Sequence, residues 1–207
     1  ATDGVAEVPL TTNASLLAGR AQALAKAGLD RVTVSMDAID DAAFRAINDV
    51  DQGVEPVLAG IEAAAAAGLG PVKINMVVKR GLNDEQVVPM AAHFRGTPHI
   101  LRFIEFMDVG TTNGWRLDQV MTAEEIRDTV AGHWPLEPLA PHYPGEVARR
   151  YAYRDGGGEI GIIASVTQPF CGSCTRARLT AEGELFTCLF GHRGHDLRHL
   201  LREEAAD

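Results

Sequence analysis

An incomplete α/β barrel of parallel strand–helix units, followed by a small β-rich cysteine module, is the fold the sequence predicts. Three observations predict it. Over residues 1–108, short β-branched runs alternate with Ala- and Leu-rich runs, the pattern of βαβ units. The segments "AGLDRVTVS" and "AGLGPVKIN" repeat one form, a glycine that ends a helix and then a strand. Thr33 and Ser35 share one strand face, Lys73 and Asn75 share another, and these four positions correspond across the repeat. A closed barrel and an open doubly wound sheet both satisfy the alternation. The shared polar face favours a barrel lumen holding a ligand near the C-terminal strand ends.

Each element follows from local chemistry. "VAEVPLTT" reads as a strand, with Pro9 weakening it because proline cannot donate to a ladder. Ser15 is expected to cap a helix that stops at Gly28. "RVTVSMD" (31–37), "VKINMVV" (72–78) and "HILRFIEFM" (99–107) read as strands. Asp40 opens a short helix, "EPVLAGIEAAAAAG" runs to Gly68, and "NDEQVVPMAAHFRG" supplies another helix. "DVGTTNGW" reads as a loop, and Thr122 with Glu125 signals a capping box. Pro135, Pro138, Pro141 and Pro144 predict a stiff extended connector over 134–145 between a barrel part (1–133) and a module (146–207). Within that module, "EVARRYAYR" and "EIGIIASV" flank "DGGG" as an antiparallel hairpin. "RARLT" and "ELFTC" form a second pair around residues 181–183, and "DLRHLLREEA" a closing helix.

Composition narrows the function. With 46% hydrophobic and 23% charged residues the chain is an ordinary globular sequence, and no apolar run reaches membrane-helix length. A net charge of −9 argues against nucleic acid or an anionic membrane as partner, so an anionic ligand needs a local cationic pocket. Three cysteines are an odd count for a disulfide framework. Reduced ligand cysteines suit a cytoplasmic protein.

All three cysteines lie in "FCGSCTRARLTAEGELFTCLF" (170–190). Cys171 and Cys174 form a C-x-x-C, and the following hairpin delivers Cys188. Two metal centres fit this spacing. Structural zinc needs four closed ligands, which His192, or His195 in its place, could complete. An iron–sulfur cluster held by three thiolates would instead keep one iron open to a ligand. Arg176 and Arg178, at i and i+2 on a strand, point to one face and could grip phosphate oxygens bidentately. The plainer reading of that pair is a solvated basic edge.

The cysteine stretch resembles the C-terminal cluster motif of the GTP 3′,8-cyclase family, radical S-adenosylmethionine enzymes of molybdenum cofactor biosynthesis. The family pattern is Phe-Cys-Gly-x-Cys-x-Arg-x-Arg-Leu-Thr, a glycine turn, then Cys-Leu. "LTTNASLL", "AGLDRVTVSMD", "VKINMVVKRGLND" and "LRFIEFMDVG" are similar to its barrel segments, in order, so the likeness runs from about residue 5 to 202.

The resemblance implies a partial TIM-type radical barrel and a 4Fe–4S cluster on Cys171, Cys174 and Cys188, its open iron facing the guanine of GTP. It implies GTP contacts at Thr11, Lys73, Arg102, Arg176 and Arg178, and S-adenosylmethionine contacts at Ser35 and Met107. It further implies an electron donor, and a radical that takes the 3′ hydrogen of GTP before the ribose carbon attacks C8. Taken singly, Thr11 reads as a turn cap, Met107 as core packing, and Lys73 as an internal ion pair, for instance with Glu105.

The chain also departs from the family. Its first cluster, a second 4Fe–4S centre, is held by Cys-x-x-x-Cys-x-x-Cys, and no cysteine precedes Cys171 here. The Gly-Gly tail is not found, and Ala14 stands where glycine is usual. The expectation is a piece of a longer enzyme, inactive alone, whose open strand edges favour poor solubility or a domain-swapped homodimer. Two alternatives stand beside it: a non-catalytic zinc-anchored binding module, and a Schiff-base barrel enzyme using Lys73.

Overall fold

β-Branched runs build the centre of the molecule. The computed structural model describes residues 4–109 and 114–202, so part of the 108–115 loop and the end of the closing helix (203–205) lie outside the described residues. β1 (Pro9–Thr12), β2 (Arg31–Ser35), β3 (Lys73–Val78) and β4 (Ile100–Glu105) pair in parallel, each with the next. β5 (Leu136–Leu139), β6 (Arg149–Tyr153) and β7 (Glu159–Ile163) follow in the chain. β7 joins β4 in parallel, while β6 and β5 continue antiparallel. The result is a mixed, mostly parallel seven-stranded sheet of order β1-β2-β3-β4-β7-β6-β5.

One sheet face is buried under helices. Val32, Val34, Ile74, Met76, Leu101, Phe103, Ile160 and Ile162 alternate inward and are at most 1% exposed. Helices α1 (Ala21–Lys26), α2 (Asp41–Asn48), α3 (Glu55–Ala66), α4 (Val87–Phe94) and α5 (Ala123–Ala131) contribute residues such as Ala21, Phe44, Ile61, Met90 and Ile126 to the same core. Each large side chain removed from water here contributes about 1.5–3 kcal/mol. Truncating Phe103 at the sheet centre would cost about 3–5 kcal/mol.

Helix ends follow the sequence in most places. The Asp40 side chain accepts from Ala43 N, and Thr122 and Glu125 form the full capping box. Gly28 (φ 95°) and Gly68 (φ 82°) occupy the left-handed region past their helices.

The first helix differs from expectation. It begins at Ala21, and Ser15 sits in a preceding turn, its amide and hydroxyl both donating to Asn13 Oδ1. Ala14 causes this. At φ 60° it leaves the helical region, and its carbonyl takes up Leu17 N instead. The turn presses on α3 at Gly60, where an added Cβ would lie 2.7 Å from Ala14 O. Glycine is thus required in mid-helix.

The stretch read as a connector also differs. Leu136–Leu139 is strand β5 at the sheet border, where Pro138 needs no outward donor. The 149–163 hairpin forms as an antiparallel pair but belongs to the large sheet, because the "EIGII" strand is apolar enough to be buried on both sides beside β4.

A separate three-stranded sheet follows. β8 (Arg178–Leu179) and β9 (Glu184–Phe186) form the hairpin read from "RARLT" and "ELFTC", turning at Gly183 (φ 88°). β10 (His195–Asp196) pairs with β9, and α6 (Leu197–Arg202) closes the described chain.

Candidate functional site

The face of the sheet opposite the helices carries the polar residues. Register aligns Thr11 with Thr33 and Thr33 with Lys73. It also aligns Ser35 with Asn75, Asn75 with Arg102 and Arg102 with Gly161. Residues paired across a sheet present their side chains to one side, so Thr11, Ser35, Lys73 and Arg102 share this open face. Among the described residues no strand closes it into a lumen.

Positive charge concentrates there. Arg102 Nε donates to Asn75 Oδ1 at 2.9 Å. Burial, then the Arg102 and Arg31 guanidiniums, hold the Lys73 ammonium below its ordinary pKa. Burial and then Arg31 act on Arg102 in the same direction. Glu146 offsets part of both effects from the segment ahead of β6. Lys73 makes no ion pair within 4 Å among the described residues. Its suggested partner Glu105 alternates to the opposite face and binds backbone amides instead. Sequence reasoning passed over Arg31, which pairs with Glu7 at 2.8 Å; its i, i+2 spacing from Thr33 was the available signal. At the exits of β2 and β3, Asp37 Oδ1 accepts from Val77 N at 2.8 Å, and burial pushes that carboxyl up.

The cysteine residues form a second group. Cys171, Cys174 and Cys188 are free and exposed, and all three line one cavity of about 250 Å³. Met107, Arg176 and Arg178 line it too. The residues that the sequence pointed to therefore fall into two sets, with Met107 in the cavity set. Hydrogen bonds from the Arg176 backbone and then its guanidinium hold the Cys174 thiol below its usual value, favouring the thiolate a metal requires. The Arg176 guanidinium also lies 4.8 Å from the Phe170 ring centroid. As they stand, no three His, Cys, Asp or Glu side chains among the described residues are grouped tightly enough to hold a metal ion. His192 and His195 are not among the residues lining the cavity.

Two family models match the chain in tandem. Residues 2–94 match the Radical SAM superfamily and residues 99–207 match Molybdenum Cofactor Synthesis C. The chain belongs to the Molybdenum Cofactor Synthesis C family. The cavity and its three cysteines fall wholly inside that second match. The chain is 56% identical to the GTP 3′,8-cyclase of Acidothermus cellulolyticus over 198 residues, 96% of this chain and 55% of that protein. It is 53% identical to that of Xanthomonas campestris pv. campestris over 203 residues, 98% of this chain and 60% of the relative. Against the Staphylococcus aureus protein identity is 42% over 206 residues, 99% and 60% of the two lengths. The chain thus spans somewhat over half the length of the curated relatives it matches. No helix among the described residues is long and apolar enough to cross a membrane.

Proposed function

We propose that this chain carries the substrate half of a radical S-adenosylmethionine GTP 3′,8-cyclase of molybdenum cofactor biosynthesis. The observation that carries this reading is one cavity lined by Cys171, Cys174, Cys188, Arg176 and Arg178, on a chain whose relatives bear that enzyme's name. The fold reads as part of a radical barrel, with residues from 170 onward as its cluster module.

The donor set fits a 4Fe–4S cluster with three protein thiolates. They line one wall space, and Arg176 favours the charged form of Cys174. When bound, that group supplies an open iron as an anchor for a nucleobase. The chain's own residues do the rest. Arg176 and Arg178 take phosphate oxygens by charge-assisted hydrogen bonds. Lys73 and Arg102 supply cations on the open face, and an anion there relieves their mutual repulsion. Thr11 offers a hydroxyl to the nucleotide, while Ser35 and Met107 contact S-adenosylmethionine. Holding the nucleotide at two ends presents a single ribose C–H bond, which is catalysis by orientation.

Anaerobic reconstitution tests this. About four irons and four sulfides per chain are expected. Calorimetry should then find GTP binding that weakens by about two orders of magnitude in Arg176→Ala/Arg178→Ala. Zinc without sulfide would replace the reading with the zinc-anchored module.

A further inference from the structure

Glu105 is fully buried at the end of β4, facing away from the polar side of the sheet. Its two oxygens accept four hydrogen bonds. Oε1 takes Ala123 N at 2.7 Å and Thr167 Oγ1 at 2.5 Å, and Oε2 takes Val166 N at 2.7 Å and Thr167 N at 2.8 Å. Among the described residues no Lys or Arg stands within ion-pair distance of it. A buried carboxylate of this kind is weak support for stability, since apolar packing does as well without the desolvation penalty.

The groups it holds are informative. Two residues beyond Glu105 lies Met107, one wall of the 250 Å³ cavity. A few residues beyond Thr167 lie Pro169, Phe170 and Cys171, which line the same cavity. One side chain therefore ties the exit of β4 to the exit of β7, the two chain segments that lead into the cavity. Its third attachment, Ala123 N, fixes both against the first turn of α5. Backbone amides gathered on a single carboxylate set the separation of the two segments by directional, charge-assisted hydrogen bonds, not by soft packing.

We propose that Glu105 is a positioning residue that registers the cluster segment against the sheet, so that a nucleotide can touch both at once. The proposal rests on the nucleotide reading above for its ligand and on hydrogen bonds alone for its geometry. Glu105→Gln keeps the length but turns one acceptor into a donor facing donors. In the reconstituted chain, this variant should retain iron and sulfide, and should bind inorganic orthophosphate, too small to reach both walls, within about twofold of wild type. Its affinity for GTP should fall at least about tenfold, because misplacing one wall matters only to a ligand that spans both.

Hydrogen exchange supplies a ligand-free readout. It should quicken at 106–109 and 164–171 and stay unchanged in β8 and β9. Thr167→Val, which removes one donor, should give the same pattern at smaller size, and it decides the matter if the glutamine variant does not fold; Thr167→Ser should restore wild-type behaviour. Equal weakening of both ligands, exchange quickened everywhere, or no change at 164–171 overturns the proposal. If wild type binds no GTP while exchange still follows this pattern, the nucleotide reading fails and the positioning role stands.

Discussion

Arg102 and Asn75 lie opposite each other in the β3–β4 register, and the guanidinium Nε donates to the amide oxygen at 2.9 Å. On the other side Gly161 gives the arginine room, since an added Cβ there would come within 3.0 Å of Arg102 Cγ. Arg102 is thereby held by a hydrogen bond on one flank and a missing side chain on the other. Asn75→Ala should weaken polyphosphate binding about three- to tenfold, the usual worth of one polar contact. Calorimetry with GTP checks it, and unchanged affinity would mean that Arg102 needs no guide.

Lys73 should give the pH dependence of anion binding. Its pKa in the free protein is lowered, first by burial and then by Arg102 and Arg31. The charged form binds the anion, so affinity is full below the lowered pKa and declines as pH rises through it. A bound anion raises the pKa again, so binding takes up protons in the window between the two values. Stability of the ligand-free chain runs the other way: the strained charge disfavours folding below the lowered pKa and is relieved as pH rises towards 10.5. Lys73→Met should therefore melt higher than wild type while binding GTP poorly. Titrations in buffers of different ionisation enthalpy count the protons.

Among the described residues the buried Tyr153 hydroxyl has no hydrogen-bond partner, and its ring packs edge-on to Trp134 at 6.2 Å. Burial pushes its phenol from 10.0 up to about 12. Tyr153→Phe should stabilise the chain by about 1 kcal/mol in urea denaturation, since it deletes an unmet donor and keeps the ring. The phenol's contribution is intact below pH 10 and is lost as pH rises towards 12, so the variant should also flatten alkaline unfolding.

Gly60 should defy helix propensity. Alanine in an exposed helix interior is worth nearly 1 kcal/mol over glycine. Here its Cβ would meet Ala14 O at 2.7 Å, with Leu17 and Ala14 side chains at 3.1 and 3.2 Å. Gly60→Ala should instead destabilise by about 1–3 kcal/mol, read from thermal melting. A gain in stability would mean the 14–17 turn yields freely.

The sequence made the parallel strands legible because each is buried on one face and alternates cleanly, as in β2 and β3. The polar face could be read from the same alternation, through Thr33, Ser35, Lys73 and Asn75. The start of α1 could not, because Ala14 in a left-handed conformation has no local signature and depends on a glycine in another helix. Nor could the place of the 149–163 hairpin. Its turn is local, but its partner β4 lies far back in the chain. Proline spacing suggested a connector where a strand border tolerates Pro138. The cysteine cavity was visible in spacing, whereas Glu105 was not: a lone glutamate in an apolar run could have paired with Lys73, and only the fold reveals amides waiting for it.

Among the described residues, proline sits in both outermost strands of the large sheet, Pro9 in β1 and Pro138 in β5. Neither border can therefore offer a docking strand an unbroken run of N–H groups. Copies of the chain that meet side by side would have to skip a rung at each such place, so uncontrolled stacking into longer ribbons is discouraged at the very rims where an unclosed sheet is most vulnerable.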